Sequence, residues 1–530
     1  MATETELKLA LAPAAIPALL AHPLLAAAPP RLTRLANTYY DTPDLALLAR
    51  RFAIRLRRDG RRRLVTVKGE ARAPGGLSRR AEWETEVPGD ALSFDHVDAP
   101  ELRSELTALL PTLTPVFSTD FRRHTWRVQR GVSTIEVAFD RGRIEAVPAG
   151  RDPGQAVREA ICEVELELLE GQDDDLLALA EALAATLPLL SAPASKAERG
   201  YRLYRQERPG PVKLRNGATS LPASAQDAFC DYAFACLENF NRNVAGFLAA
   251  MAAPGATRNP PAPEFIHQAR VALRRLRSAL ELFAAALPDD YVARWQSSLA
   301  DLADALSPAR DWQVLAHDTW PQFCALLPPR QAAALARRLA AQERQALATV
   351  RSTLADPATT RLILGLLRTT LTLAEPGNNA PRPLPLPHLA RRVIRRAVKQ
   401  VEHRVARLNH DLAGANSPNP EAYARDWHRL RIAIKRLRYG LDVLRPLLRD
   451  KDVQCWIDHL LPLQDALGAL NDSAVGITRL RALSDTPNDP LTAPAIAWLD
   501  GRTTGLHQTL PHVLGRLSGL TAPRLKKSSP

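Results

Sequence analysis

The chain is poor in cysteine. Five occur in 530 residues: Cys162, Cys230, Cys236, Cys324 and Cys455. Their number is odd, their spacing is wide and no CxxC pair is present, so no disulfide framework is suggested and a reducing cytoplasm fits. Long apolar runs are also missing, which excludes a bilayer-spanning helix. The segment from Leu9 to Pro30 is rich in Ala and Leu, but Pro13, Pro17, Pro23 and Pro29 break it. Two acids, Glu4 and Glu6, precede it where a signal peptide would be basic. These absences point to a soluble cytoplasmic protein with no membrane partner.

Positive excess is absent from the first 205 residues, where 28 Lys and Arg face 29 Asp and Glu. Residues 206–530 hold 42 against 28, so the net charge of +13 comes from that part. Such asymmetry calls for an anionic partner: nucleic acid, an acidic surface or a polyphosphate. The apolar fraction of 46% suffices for packed cores, and the length suits two to four domains.

Within residues 1–205 the pattern alternates as in an antiparallel β domain. Strands are expected at 4–9, 34–40, 51–57, 63–69, 79–87, 121–129, 133–139 and 161–169, and helices at 43–50, 100–110 and 173–187. Asp59-Gly60 marks a hairpin. Eight strands are enough to close a barrel. Glu4-Thr5-Glu6-Leu7-Lys8 and Glu163-Val164-Glu165-Leu166-Glu167 each put charges on one strand face and apolar groups on the other. Like charges so placed repel, and a divalent cation with basic side chains is the simplest remedy. Arg55 and Arg57, Lys68, Glu82 with Glu84 and Glu86, and Arg123 with Thr125 and Arg127 alternate likewise. With these faces inward, the lumen mixes carboxylates that bind Mg²⁺ with cations that neutralise phosphate. Leu7, Leu9, Ile54, Leu56, Val65, Val67, Val164 and Leu166 then face outward, under helices.

From about residue 222 the period becomes helical. Helices are expected at 223–252, 264–286, 291–306, 309–327, 330–354, 358–373, 387–412, 420–447, 452–467 and 472–484. Residues 206–221 look like a linker, and Glu375 to Pro387 like a break. His267, Arg270, Arg274 and Arg277 recur 161 residues later as His428, Arg431, Lys435 and Arg438. The same offset pairs Asp304 with Asp465 and Asp311 with Asp472, which implies two similar halves, about 222–375 and 387–525, related by a pseudo-twofold axis. The four basic groups span an arc of roughly 80° on the helix. One such stripe is most often a solvated face; two in register, each led by His, argue for a bound anion.

The stripe residues resemble the CHAD family, the conserved-histidine α-helical domain. The resemblance covers about residues 222–520 and implies two four-helix halves that bind inorganic polyphosphate through His267, Arg270, Arg274, Arg277, His428, Arg431, Lys435 and Arg438. Pro308, ahead of Arg310-Asp311, departs from the second half, where Leu470-Asn471-Asp472 runs cleanly.

Glu4-x-Glu6-x-Lys8 resembles the signature of the CYTH family, the triphosphate tunnel metalloenzymes. It is joined in order by Tyr39-Tyr40-Asp41-Thr42-Pro43, Arg55-Leu56-Arg57, Thr66-Val67-Lys68, Phe117 to Arg123, Ile135-Glu136 with Asp140, Cys162 to Glu165 and Ser195-Lys196 to Tyr201. The chain looks most like bacterial inorganic triphosphatases that carry both domains. That implies a fold of an eight-stranded antiparallel tunnel (1–205), a linker (206–221) and an all-α domain (222–525). It further implies Mg²⁺ or Mn²⁺ on Glu4, Glu6, Glu163 and Glu165. Lys8, Arg55, Arg57, Lys68, Arg123 and Lys196 would clamp phosphates, with Lys8, Glu82 and Asp140 as catalytic candidates. At 122–123, parity favours Arg123 as the inward residue. No general base stands out; a lumenal Glu or Lys8 could assist. The expected reaction is hydrolysis of tripolyphosphate to pyrophosphate and phosphate, with long polyphosphate rather than nucleic acid on the helical part. The alternatives are an adenylyl cyclase, a thiamine or nucleoside triphosphatase, and a polyphosphate-binding protein without catalysis. The sequence leaves open whether the helical part feeds the tunnel or only places the protein on polyphosphate granules.

Overall fold

A computed structural model describes residues 2–526 apart from 27–28, 70–73, 215–221, 253–262, 376–383, 414–419, 485, 487–488 and 518. The expected linker and the expected break therefore fall partly outside the described residues. The chain forms two compact units.

The first unit takes in residues 1–212 together with 237–253 and 354–372. Its strands are β1 (Ala2–Leu11), β2 (Arg31–Asp41), β3 (Ala53–Asp59), β4 (Arg62–Lys68), β5 (Leu77–Glu86), β6 (Thr114–Arg130), β7 (Ser133–Ala146), β8 (Val157–Glu170) and β9 (Leu189–Ser191). They pair antiparallel in the order β5-β4-β3-β2-β6-β7-β8-β1, and β5 pairs with β1 to close an eight-stranded barrel. β9 adds to β1 outside the closed circle. The β3–β4 hairpin turns through Gly60, whose φ of +59° suits glycine. Helices of this part are α1 (Ile16–Leu20), α2 (Ala46–Ala49), α3 (Pro100–Leu109), α4 (Asp173–Leu183) and α5 (Lys196–Tyr204).

The outward apolar residues are covered. Ile54, Leu56, Val65 and Val67 are buried in one cluster with Trp83, Val97 and Leu106 of α3. Leu7, Leu9 and Leu190 line one side of a cavity of about 30 Å³; Phe240, Val244, Ile363, Leu364 and Leu367 line the other. Asn241 Nδ2 donates to the Gly75 carbonyl at 3.1 Å, and Thr360 Oγ1 to that of Leu189 at 2.7 Å. The barrel is thus covered by chain that lies far downstream. Uncovering a buried Leu costs roughly 1.5–3 kcal/mol, against a typical stability of about 5–15 kcal/mol. A fragment ending at residue 212 is expected to aggregate or to melt at least about 10 °C lower than the barrel transition of the intact chain; calorimetry and gel filtration check this.

The second unit takes in 213–236, 254–353 and 373–530. The helices from residue 225 onward are α6 (Ala225–Ala252), α7 (Glu264–Phe283), α8 (Asp289–Ala305), α9 (Ser307–Gln313), α10 (Trp320–Phe323), α11 (Pro329–Ala355), α12 (Pro357–Ala374), α13 (Leu386–Ala413), α14 (Pro420–Leu444), α15 (Asp450–Leu483) and α16 (Ala493–Gly515). No described helix is long and apolar enough to cross a membrane.

Three helix expectations are corrected. The segment 309–327 is not one helix: a π turn at Val314–Thr319 separates α9 from α10, because Pro321 has no N–H for the turn before it. The helices expected at 452–467 and 472–484 are one helix, α15. Leu460, Leu463, Leu467, Leu470, Ser473, Ile477 and Leu480 form an unbroken buried stripe that carries it past Pro462 and Gly468. α16 was not expected, since Gly501, Gly505 and Pro511 interrupt its pattern; Ala495, Leu499, Leu510 and Leu514 bury one face. Pro308 lies in the first turn of α9, where its missing N–H costs nothing.

Reciprocal contacts show the pseudo-twofold axis. Ala225 N–H donates to the Leu384 carbonyl at 3.0 Å, and Leu386 N–H to the Ala223 carbonyl at 2.8 Å. Arg436 pairs with Glu281 at 2.8 Å, and Arg275 approaches Asp442 at 4.0 Å. Each contact and its mate differ by the same 161-residue offset.

Candidate active site and anion-binding face

Strand register decides which charges meet in the barrel. Glu4 of β1 stands opposite Arg80 of β5, and Lys8 opposite Glu165 of β8. Lys68 stands opposite Glu82, and Arg123 opposite Asp140. Three acid pairs are also opposed: Glu6 with Glu167, Glu136 with Glu167, and Asp140 with Glu163. Such pairs need cations among them.

Lys196 supplies one from the first turn of α5. Its Nζ lies 2.7 Å from Asp140, 2.5 Å from Glu163 and 2.9 Å from Glu165. Ser195 caps that helix by accepting from the Glu198 N–H. Gly200 lets α5 lie against the barrel, since a Cβ there would stand 2.2 Å from the Phe117 ring. Arg123 lies 2.7 Å from Asp140 and 2.5 Å from Glu165. Arg80 bridges Glu4 at 2.7 Å and Glu6 at 2.5 Å, and Lys8 also pairs with Glu6. Lys68 reaches Glu4 and Glu82 at 3.1 and 2.7 Å; Arg55 is 3.4 Å from Glu82.

The lumen is a cavity of about 230 Å³. Seven cations line it (Lys8, Arg55, Arg57, Lys68, Arg80, Arg123 and Lys196), as do seven carboxylates (Glu4, Glu6, Glu82, Glu84, Glu136, Glu165 and Glu167). Charge is therefore balanced overall but not locally. Arg57 bonds Asn37 at 3.1 Å and has no carboxylate partner among the described residues. Burial, with Arg55 and Arg123 nearby, pulls its pKa down to about 10. Burial and then Arg80 and Arg55 pull Lys68 to about 8. Glu82 is held at about 2 by Lys68 and Arg55 against the opposing effect of burial. Burial, with Glu4 and Glu136, pushes Glu167 up to about 7. Among the described residues, Arg57 is thus in ion-pair contact with no carboxylate, and Glu167 with no cation.

Of the residues singled out in the sequence, Glu4, Glu6, Lys8, Arg55, Arg57, Lys68, Glu82, Arg123, Glu165 and Lys196 line the lumen. Asp140 and Glu163 are buried in the wall beside Lys196. Arg122 and Arg127 are exposed. Asp140, Glu163 and Glu165 each bring a carboxylate oxygen within 4.8 Å of the others, a group that could hold a metal ion. Glu4 and Glu6 are engaged by Arg80, Lys68 and Lys8 instead. Sequence reading passed over Arg80, whose parity with Glu82 and Glu84 was available. Arg199, which lies 2.7 Å from Glu163, falls within the Ser195–Tyr201 segment, but no alternation marks it and the sequence gives it no role.

In the second unit, α7 and α14 carry the two basic stripes, all eight residues half-buried or exposed. Arg270 feels Asp311, and Arg431 feels Asp472, again a pair of equivalents. Arg274 Nε donates to Tyr439 Oη at 2.6 Å, and Arg438 to Gln464 at 2.5 Å. The stripes face each other: burial, then Arg274 and Arg431, pulls Lys435 down to about 7. Burial, then Arg310 with Arg274 and Arg270, pulls His267 to about 4. Arg277 Nε and Arg431 Nε are buried with no hydrogen-bond partner among the described residues. Asp311 and Asp472 only partly neutralise cations crowded in this way.

Residues 2–201 match the family model of the CYTH domain, and residues 243–481 that of the CHAD domain. A curated Haemophilus influenzae protein, an inorganic triphosphatase, is 36% identical over 174 residues. Those residues are 32% of this chain and 46% of that protein, so the chain spans about half the length of this relative. Among solved structures, the CHAD domain from the plant Ricinus communis is 28% identical, with a TM-score of 0.46, over 60% of this chain and 99% of its own. PptA from Streptomyces chartreusis is 18% identical, with a TM-score of 0.39, over 55% of this chain and 99% of its own.

Proposed function

Because the chain joins a CYTH domain to a CHAD domain, we propose that it is a metal-dependent inorganic triphosphatase whose helical face binds inorganic polyphosphate. The observation that supports this best is the mixed lining of the lumen, with seven cations and seven carboxylates. A pure anion binder gains nothing from carboxylates beside its phosphates, whereas a metal–triphosphate complex uses both.

Asp140, Glu163 and Glu165 would hold Mg²⁺ or Mn²⁺, with Glu4 and Glu6 as further acids on the same lumen. Hard oxygen donors of this kind fit either ion, and Lys196, Arg123 and Arg199 now balance their charge. When bound, the ion supplies positive charge for the phosphate oxygens and a water of lowered pKa. The chain's own residues position and neutralise. Arg57, which pairs with no carboxylate among the described residues, and Lys68, whose charge is disfavoured by burial and by Arg80 and Arg55, take the phosphate oxygens first. Arg55, Arg80, Arg123, Lys8 and Lys196 turn from their carboxylates toward the tripolyphosphate. Water attacks the terminal phosphorus in line, the P–O bond to pyrophosphate breaks, and the water's proton passes to a lumenal carboxylate.

The test is a substrate panel on the intact chain with Mg²⁺ or Mn²⁺. Tripolyphosphate should release phosphate at least about tenfold faster than ATP or thiamine triphosphate. Cyclic AMP from ATP would replace the reading with a cyclase, and no release with any divalent ion would overturn it.

Polyphosphate on the helical face has a pH signature. Lys435 faces Arg270 and Arg274 of α7, Arg431 of its own helix and Asp472 of α15. Its pKa of about 7 leaves it mostly neutral at pH 8. A bound polyanion favours the charged form and raises that pKa. Binding at pH 8 should therefore take up close to one proton, and binding at pH 6 much less. Calorimetry in buffers of different ionisation enthalpy measures the uptake, and Lys435→Met should remove most of it.

A further inference from the structure

The basic stripes do not account for all of the positive charge among the described residues of the second unit. A groove of about 1080 Å³ lies between α13 and α14, on faces that the stripes do not use. α13 contributes His388, Arg391, Arg392, Arg395, Arg396, Lys399, His403 and Arg404; α14 adds Arg429 and Arg436. At about 100° per residue, most of the α13 set falls on one face, and from 388 to 404 it extends about 24 Å along the helix.

Two observations separate this groove from an ordinary solvated face. The first is pairing. Arg429 pairs with Asp426 at 3.1 Å and Arg436 with Glu281 at 2.8 Å. Among the described residues, no carboxylate pairs with Arg391, Arg392, Arg395, Arg396, Lys399 or Arg404, and none lines the groove. The second is the repeat. The 161-residue offset sets His388, Arg392 and Lys399 of α13 against Asp227, Asp231 and Glu238 of α6, and Arg395 and Arg396 against Phe234 and Ala235. One copy of the same helix carries acids and apolar groups where the other carries cations. A basic face kept for solubility alone would not need to be confined to one copy.

We infer that the α13–α14 groove is a second polyanion site, separate from the stripes of α7 and α14, and that it holds a stretch of linear inorganic polyphosphate. The lining favours phosphate oxygens without bases. Seven of its thirteen residues are Arg, whose fork matches phosphate in a bidentate way. No Phe, Tyr or Trp is present to stack a base, as single-stranded nucleic acid sites need. Phosphates spaced along the groove would neutralise i, i+3 and i+4 cations that otherwise repel one another. The ligand class rests on the reading that the helical part takes polyphosphate; the site itself does not depend on the stripes.

The experiment uses the intact chain, fluorescent long-chain polyphosphate and a single-stranded oligonucleotide, each titrated across salt concentrations. The groove variant is Arg392→Glu, Arg395→Glu, Lys399→Glu; the stripe variant is Arg274→Glu, Lys435→Glu. The three groove positions are exposed, so folding is not at risk, and circular dichroism verifies it. The groove variant should bind long polyphosphate at least about tenfold more weakly. Its plot of log affinity against log salt should flatten by about 2, from roughly 0.7 per lost phosphate contact. Tripolyphosphate turnover should stay within about twofold. The milder Arg392→Gln, Arg395→Gln, Lys399→Gln variant should fall between.

Unchanged polyphosphate affinity and salt slope in the groove variant, with binding lost in the stripe variant, overturns the second site and leaves the function reading standing. Loss confined to the oligonucleotide overturns the ligand class in favour of nucleic acid. Failure of the intact chain to bind polyphosphate at all overturns both readings.

Discussion

The Glu165→Gln variant should release phosphate from tripolyphosphate at least about 10³-fold more slowly than the wild-type chain at equal metal concentration. Glu165 gathers cations from three elements of the lumen. It pairs with Lys196 at 2.9 Å and Arg123 at 2.5 Å, stands opposite Lys8 in the sheet, and is one of the three converging carboxylates. Its cationic neighbours hold its pKa well below the ordinary value even though burial opposes this. Glutamine keeps the shape and removes the charge, so the cations around it lose their counter-ion and the metal loses a ligand. Removing one partner of a buried pair costs about 3–5 kcal/mol, so the melting temperature must be measured beside the rate. Glu86→Gln is the control. Glu86 alternates with Glu82 and Glu84, but it pairs with Arg62 at 3.0 Å where both side chains are more than half exposed. That variant should stay within about twofold in rate and about 0.5 kcal/mol in stability. A Glu165→Gln enzyme that is folded and within tenfold of wild type would remove the carboxylate cluster from the mechanism.

The second large effect is expected on the helical face. Arg274→Glu combined with Lys435→Glu should weaken long-chain polyphosphate binding by about 10²-fold at low salt, and less as salt rises. Tripolyphosphate turnover should be kept, since neither residue touches the lumen. Stability gives an independent reading. Lys435 is depressed to about 7, so its charged form is unfavourable in the folded state at neutral pH. The cost is fully present below pH 7 and fades as pH rises from 7 toward 10. An acid at that position relieves the repulsion, so the variant should melt no lower than wild type at pH 6. Undiminished polyphosphate binding would remove the stripes from the site.

Much of the barrel could be read from the sequence because a strand's period of two is exposed by alternating charge. Glu4, Glu6 and Lys8, or Arg55 and Arg57, cannot be core residues of an ordinary sandwich, and their apolar neighbours Leu7, Leu9, Ile54 and Leu56 are buried outside the barrel. What alternation does not reveal is which charges meet. Lys196 joins Asp140, Glu163 and Glu165 only because α5 starts at the barrel mouth, and Arg80 clamps Glu4 and Glu6 only through the closing pair of β5 with β1. The helical part was legible where the repeat supplied two copies of a pattern. It was less so where glycine and proline interrupt a helix that buried leucines sustain, as in α15 and α16. The charge on α13 was visible as sequence, but its groove needed the outer face of α14 beside it.

The discontinuity of the first unit has a consequence for biosynthesis. Its eight barrel strands end at Glu170 and the added strand β9 at Ser191, yet its outer cover includes residues 354–372. About 160 further residues must leave the ribosome between residue 212 and residue 372 before Leu7, Leu9 and Leu190 gain the last of their partners, Ile363, Leu364 and Leu367. At the usual pace of translation that interval lasts roughly ten to thirty seconds. A nearly closed barrel then presents an apolar face while the chain is still growing. The nascent protein is a natural client for a chaperone that shields such a face until the downstream helices arrive.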